Sequence, residues 1–377
     1  MRCSTERNSI MKLQINKTNL IAAVNIAAKA VPSKTTMSIL QCILIDASTE
    51  KIKLIANDTE LGIETGVEGT ILSHGIIAVN ADIFSNIVRK LPDGIVNIST
   101  EGEKVTIQCE KAKFNILGKD GSDFTYLPEI ARDYCIEISQ FTLKDVIART
   151  IFSISSSESN KMMTGELFEI SDNILRVVAL DGHRISIRNV ELKKSYEGRK
   201  VIIPGNTLSD ISKILSGDME KTVSIYFTDR HALFEFDDTI VVSRLIEGDY
   251  FKIDQMLSGD YQTHLRINRQ EFLSCLDRAT LLVKEEDKKP IILMISDAAV
   301  EIKINTTLGS MDETITIDKD GEDLNIGFNP KFLIDALRAI DDEEIDIYLL
   351  SQRAPAFIRD GKNYCYLVLP VNFINID

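Results

Sequence analysis

The sequence predicts an α+β protein assembled from three copies of one domain, and three observations carry that expectation. One short amphipathic helix recurs three times at nearly even spacing. A second helix recurs three times with a spacing of its own. Between the helices, apolar and polar residues alternate as they do in half-buried strands. Each copy is expected to pack two helices on one face of antiparallel sheets.

The clearest copy of the first helix is Asn329 to Ile340, whose Phe332, Leu333, Ala336, Leu337 and Ile340 form one apolar stripe at helical spacing. Asn80 to Leu91 repeats it with Ile83, Phe84, Ile87, Val88 and Leu91 in the same phase. Pro204 to Leu215 keeps Leu208, Ile211 and Leu215, with Thr207 and Ser212 weakening the stripe. The second helix is expected over Asn16 to Val31, Ser139 to Ile154 and Asn268 to Val283, each opening on Asn or Ser as N-cap. Strands follow at 51–56, 105–109, 223–227 and 301–304, joined by short turns that favour antiparallel pairing. Domain ends also rhyme, 115–117 leading into 121–124 as 243–246 leads into 247–250. Boundaries are therefore set near Ala131 and Ser258, giving domains 11–131, 132–258 and 259–377. Residues 1–10 lack the apolar core of a signal peptide and are left out of the fold as an extension expected to be disordered.

Composition narrows the function classes. With 44% hydrophobic and 27% charged residues the chain reads as soluble and globular, and no apolar run is long enough to span a bilayer. Six scattered cysteines without C-x-x-C spacing suit buried thiols in a reducing compartment rather than disulfides or metal. A net charge of −14 argues against a polyanionic partner, yet the six helices sum to +5 and leave −19 for the rest. Two readings fit: solvated helix faces that hold some Lys and Arg, or helices lining one surface that meets phosphates without reading bases.

Nothing in the chain has a catalytic pattern. Asp181-Gly182-His183 lies between two strand-like runs and reads as a hairpin turn. An acid–base pair at Asp181 and His183 would need a nucleophile or metal ligands beside it, and neither accompanies it. His74, His231 and His264 are isolated, and the acidic run 341–344 suits a solvated helix end better than a metal site. No phosphate-binding or dinucleotide loop occurs, so no cofactor and no metal are expected. Outside that reading stand a hydrolase using the carboxylates around Asp341 and a peptide-binding scaffold without a DNA role.

From Met11 to Phe373 the chain resembles the bacterial DNA polymerase sliding clamps, the β subunits of the replicative polymerase. The resemblance rests on 33–40 (SKTTMSIL), 181–185 (DGHRI), 244–248 (RLIEG), 326–329 (IGFN) and 366–370 (YLVLP), in order on a triplicated frame. It implies a non-catalytic cytoplasmic processivity factor, a head-to-tail homodimeric ring whose helices surround duplex DNA. It implies a subunit boundary at Phe114 and Ile116 against Leu281 and Leu282. It further implies a groove for short linear motifs of the polymerase catalytic subunit, the clamp loader and repair proteins. Carried over position by position, the groove comprises Met163, Leu180, Gly182, His183, Arg184, Ile185, Met256, Pro355, Leu367, Leu369 and Pro370. Leu367, Leu369 and Met163 would receive the large apolar side chains of the peptide, with His183 and Arg184 at the rim. DNA-facing candidates are Lys17, Lys34, Arg89, Lys90, Lys144, Arg149, Lys213, Arg278, Lys331 and Arg338. The chain departs from the family at Ser38 and Phe251, where Pro is frequent, and in its tail 374–377, placed across the groove or disordered.

Overall fold

The computed structural model describes residues 10–157, 159–257, 259–283 and 289–373. The expected boundary at Ser258, most of the N-terminal extension and the tail 374–377 lie outside them. The described residues form six α-helices: α1 (Lys17–Ala27), α2 (Ala81–Lys90), α3 (Gln140–Ala148), α4 (Gly205–Ile214), α5 (Arg269–Thr280) and α6 (Pro330–Arg338). Four open on an asparagine whose side chain accepts a backbone N–H of the first turn: Asn16 from Thr18 (2.8 Å), Asn80 from Ile83 (3.0 Å), Asn268 from Glu271 (3.0 Å) and Asn329 from Lys331 (3.0 Å). Each bond satisfies a donor that the helix itself leaves without a partner. In α6, Pro330 sits in the first turn, where its missing N–H costs nothing.

Burial follows the stripes with two corrections. Leu333, Ala336, Leu337 and Ile340 are buried, but Ile83 of α2 is 50% exposed although periodicity puts it on the apolar face. Thr207, read as a weak point in the stripe, is buried. The helices expected to run to Val31 and Ile154 stop at Ala27 and Ala148, and 3-10 turns at Ala28–Ala30 and Ile151–Ser153 continue them.

By internal contacts the chain divides into two compact units, Met1–Gln140 with Lys213–Leu245, and Phe141–Ser212 with Ile246–Asp377. The middle repeat thus contributes to both, because its strands continue the sheets of its neighbours. In the first unit a thirteen-stranded antiparallel sheet joins Leu61–Val67 of the first repeat to Thr239–Arg244 of the middle one, Leu61 opposite Ser243 and Thr65 opposite Thr239. In the second unit a seven-stranded sheet joins Arg184–Pro204 to Tyr364–Val368, Arg184 opposite Val368. A four-stranded sheet carries the rest of the last repeat. Its core packs α5 and α6 between the two sheets through Phe272, Leu276, Phe328, Leu337 and Tyr366. Each such side chain contributes roughly 1.5–3 kcal/mol by leaving water.

Candidate functional site

The expected groove lies in the second unit. The hairpin of Gly165–Leu180 and Arg184–Pro204 turns at Asp181-Gly182-His183, where Gly182 takes a φ of +88° that a residue with a side chain resists. Asp181 builds the turn: its Oδ1 accepts the N–H groups of His183 (2.9 Å) and Arg184 (3.2 Å), and its Oδ2 accepts Arg184 Nε (3.1 Å). The His183 ring does not reach back to this carboxylate but packs on Phe332, centroids 6.0 Å apart. The backbone carbonyl of His183 accepts the N–H of Leu369 at 2.9 Å, which brings the hairpin turn, the end of the last strand and the first turn of α6 together.

Strand alternation then separates two faces. Ile185 and Ile187 enter an apolar cluster with Leu167, Leu180, Phe357 and Leu367, against which Met162, Met163, Tyr250 and Phe251 pack partly buried. Arg184 points the other way. Its Nη1 donates to Asp335 Oδ2 at 2.6 Å, its Nη2 donates to the Phe152 carbonyl, and its guanidinium lies 4.6 Å from the Phe332 ring centre. At 8% exposed it is no rim residue, and the expectation is corrected: Arg184 ties the turn to the end of α3 and to α6. Leu367 and Leu369 differ in exposure. Leu367 is 3% exposed, so it forms floor beneath the cluster rather than an open receptor, whereas Leu369 is 38% exposed. Leu180 and Ile185 are buried floor as well; Gly182, His183 and Met256 are exposed, and Met163, Pro355 and Pro370 are half-buried. Phe332, taken only as part of a helix stripe, is the contact residue that sequence reasoning missed. Its position three residues after the N-cap Asn329 was the available signal. Beyond Pro370 the chain turns to the neighbouring strand: Val371 N–H donates to Gly327 O at 2.8 Å, and Phe373 lies over Gly327 where a Cβ would stand.

The basic candidates divide by what already holds them. Lys34, Arg89, Lys90 and Lys331 are exposed and form no ion pair with any described residue. Arg338 pairs with Asp277 (3.0 Å) and Arg278 with Glu313, each still at least half exposed. Lys144 is half-buried and Lys213 exposed, both with partners. Two of the candidates are held more closely by their own chain. Lys17 is held by Asp93 at 3.0 Å with its side chain 17% exposed. Arg149 donates to Asp145 (2.6 Å), to the Ala339 carbonyl (2.6 Å) and to Asp341, so its guanidinium braces α3 against the end of α6.

The four boundary residues differ in the same way. Leu281 is 78% and Phe114 38% exposed, while Ile116 and Leu282 are half-buried. Leu117, at 79%, was not anticipated. Among the described residues no group of three or more His, Cys, Asp or Glu is placed to hold a metal, and no helix is long and apolar enough to cross a membrane.

Three matching repeats joined by continuous sheets, each with two helices, define the architecture of a DNA clamp. Family models agree along the chain: the DNA polymerase III beta subunit N-terminal domain matches residues 11–128, the central domain 137–252 and the C-terminal domain 254–372. The beta sliding clamp of Bacillus subtilis is 34% identical over 379 residues, covering 96% of this chain and 99% of the relative. A crystal structure of a DNA polymerase III beta subunit from Eubacterium rectale is 61% identical with a TM-score of 0.94, covering 96% and 99%. That of the Bacillus subtilis sliding clamp gives 33% and 0.93, covering 97% and 100%. The chain belongs to the bacterial DNA polymerase III β-subunit family, the β sliding clamps. Its function is that of a sliding clamp, the processivity factor of a DNA polymerase.

Proposed function

We propose that three domains, 11–131, 132–258 and 259–377, form half of a closed ring, two copies meeting head to tail around duplex DNA without catalysing a reaction. The observation that carries this reading is a junction made twice within the chain and left open at both ends. Leu61–Val67 bonds to Thr239–Arg244, and Arg184–Arg188 bonds to Tyr364–Val368. The matching strand of the last repeat, Gly309–Thr316, bonds among the described residues only to Ala299–Thr306. The matching strand of the first, 112–117, bonds there only to Lys104–Cys109. Two such edges close on each other in a two-fold ring, and exposed strand edges otherwise invite aggregation.

The same repeat accounts for Leu281. Inside the chain its counterpart Phe152 follows α3 and packs on the core of the next repeat, 6.0 Å from Tyr366. Across the boundary, Leu281 and Leu282 meet Phe114 and Ile116 of the partner copy. Lys34, Arg89, Lys90, Lys144, Lys213, Arg278, Lys331 and Arg338 supply weak, salt-sensitive phosphate contacts suited to sliding. At the junction of the middle and last domains an extended peptide from the polymerase, clamp loader or a repair protein places apolar side chains against Leu369, Met163 and Pro370, beside His183 and Phe332. Half-buried methionines let that surface repack around different partners. The protein acts in the cytoplasm. Sedimentation alongside a peptide titration tests the reading: a dimer that binds such peptides supports it, and a chain that is monomeric at every concentration overturns it.

A further inference from the structure

The head-to-tail reading leaves open which side chains outside the paired strands meet at the subunit boundary, and the internal junctions answer it. We propose that Leu308 of one copy seats against Ile83 of the other, an apolar contact at the mouth of the boundary; the inference rests on the ring proposed above.

Three turns precede the three junction strands and share one device. Glu60 N–H donates to Asp58 Oδ1 (2.9 Å), His183 N–H to Asp181 Oδ1 (2.9 Å) and Leu308 N–H to Thr306 Oγ1 (3.1 Å). The third residue of each turn is therefore equivalent. In both internal junctions its carbonyl accepts a backbone N–H from the strand of the following repeat: Glu60 O from Arg244 (2.8 Å) and His183 O from Leu369 (2.9 Å). The residue that matches Arg244 in the first repeat is Leu117. Arg244 ends a strand whose first residue, Thr239, pairs across a tight turn with Phe236, and Leu117 stands equally far from Ala112, which pairs with Cys109. The third junction then bonds Leu117 N–H to Leu308 O.

Continuing in the internal register, where Leu61 faces Ser243 and Ile63 faces Val241, sets Gly309 opposite Ile116, Met311 opposite Phe114 and Asp312 opposite Lys113. The transferred register pairs two apolar residues and then an acid with a base, a chemical match that repeat geometry alone does not guarantee.

The helix supplies the second side of the contact. Phe332 stands three residues after N-cap Asn329 and receives the His183 ring; Ile83 stands three residues after N-cap Asn80. Ile83 is 50% exposed and Leu308 54% exposed, and at the junction of the middle and last repeats their counterparts Phe332 and His183 touch. The occupant of each is the other residue from a second copy. This accounts for an isoleucine on a helix stripe that the fold of its own domain does not cover.

Reciprocal charges test it. Ile83→Lys and Leu308→Glu are made singly and together in the full chain, and the dimer dissociation constant is measured by sedimentation at low and high salt. Both positions are half exposed, so circular-dichroism spectra of the variants are expected to match the wild type and to report any misfolding. Each single variant is expected to weaken the dimer about tenfold or more, as loss of a buried apolar anchor does, and the double variant to recover most of it at low salt only. A dimeric wild type with unaffected single variants, or a double variant as weak as the two losses combined, overturns the contact and leaves the ring standing. A wild type that never dimerises overturns the ring and the contact with it.

Discussion

Glu166→Gln isolates one buried acid. Glu166 is 0% exposed, and neither carboxyl oxygen has a hydrogen-bond partner among the described residues. Thr150 is close by, but its hydroxyl donates to the Val146 carbonyl at 2.7 Å. Burial therefore pushes the carboxyl up from 4.5 to about 8. Below pH 4.5 the group is protonated in both folded and unfolded chains and costs nothing. Between 4.5 and about 8 the unfolded chain ionises while the folded chain keeps the proton, so stability falls as pH rises. Above that range both forms are ionised and the loss is constant. At about pH 7 the loss is about 3 kcal/mol, a large fraction of a typical domain's stability. Glutamine does not titrate. The variant is expected to match the wild type near the acid end and to gain stability steadily toward neutral pH, raising Tm by several degrees there. The assay is thermal or urea unfolding of both proteins across that range, read as a difference, since a chain of several domains need not unfold in one step. A difference between the two that does not change with pH refutes the reasoning.

Arg184→Ala is expected to cost about 3 kcal/mol, because it strands Asp335 and Asp181 and vacates the space between Phe332 and Phe152; unfolding measurements check it, and a loss below about 1 kcal/mol contradicts the brace described here. Leu369→Ala is expected to weaken a bound linear peptide by about 2 kcal/mol in calorimetry while leaving the dimer intact, and equal loss of dimerisation would show the residue to be misassigned. Replacing Lys34, Arg89, Lys90 and Lys331 together with Gln is expected to flatten the salt dependence of DNA association by up to about 0.9 in log–log slope for each phosphate contact removed. An unchanged slope means that these side chains do not face DNA.

Much of the fold was legible because its signals are local. Asparagine caps, stripes at helical spacing and an Asp-Gly turn are written within a few residues of the structures they specify. The exceptions arise where the deciding partner is distant in sequence. Arg184 follows the turn directly, and only its strand's alternation sends it toward Asp335, 151 residues away. Lys17 and Arg149 looked available for DNA because nothing nearby revealed that Asp93 and Asp341 would take them. Ile83 obeys the helix period yet stays exposed, since periodicity marks an apolar face without saying whether its cover comes from the same domain. Glu166 gives no sign of burial in its own neighbourhood, and Phe332 was concealed by fitting two roles at once. The continuity of the sheets across repeats was likewise invisible, because alternation marks strands but not which strands pair.

The central claim is that two copies close around DNA, and topology tests it most directly. The protein is loaded by a clamp loader onto a nicked circular plasmid, and its retention is compared before and after the circle is cut once. A closed ring is expected to stay on the circle through salt washes that remove ordinary phosphate binders and to run off the ends once the DNA is linear. Equal retention on both forms, or release from the circle at the salt that removes it from linear DNA, would contradict the ring.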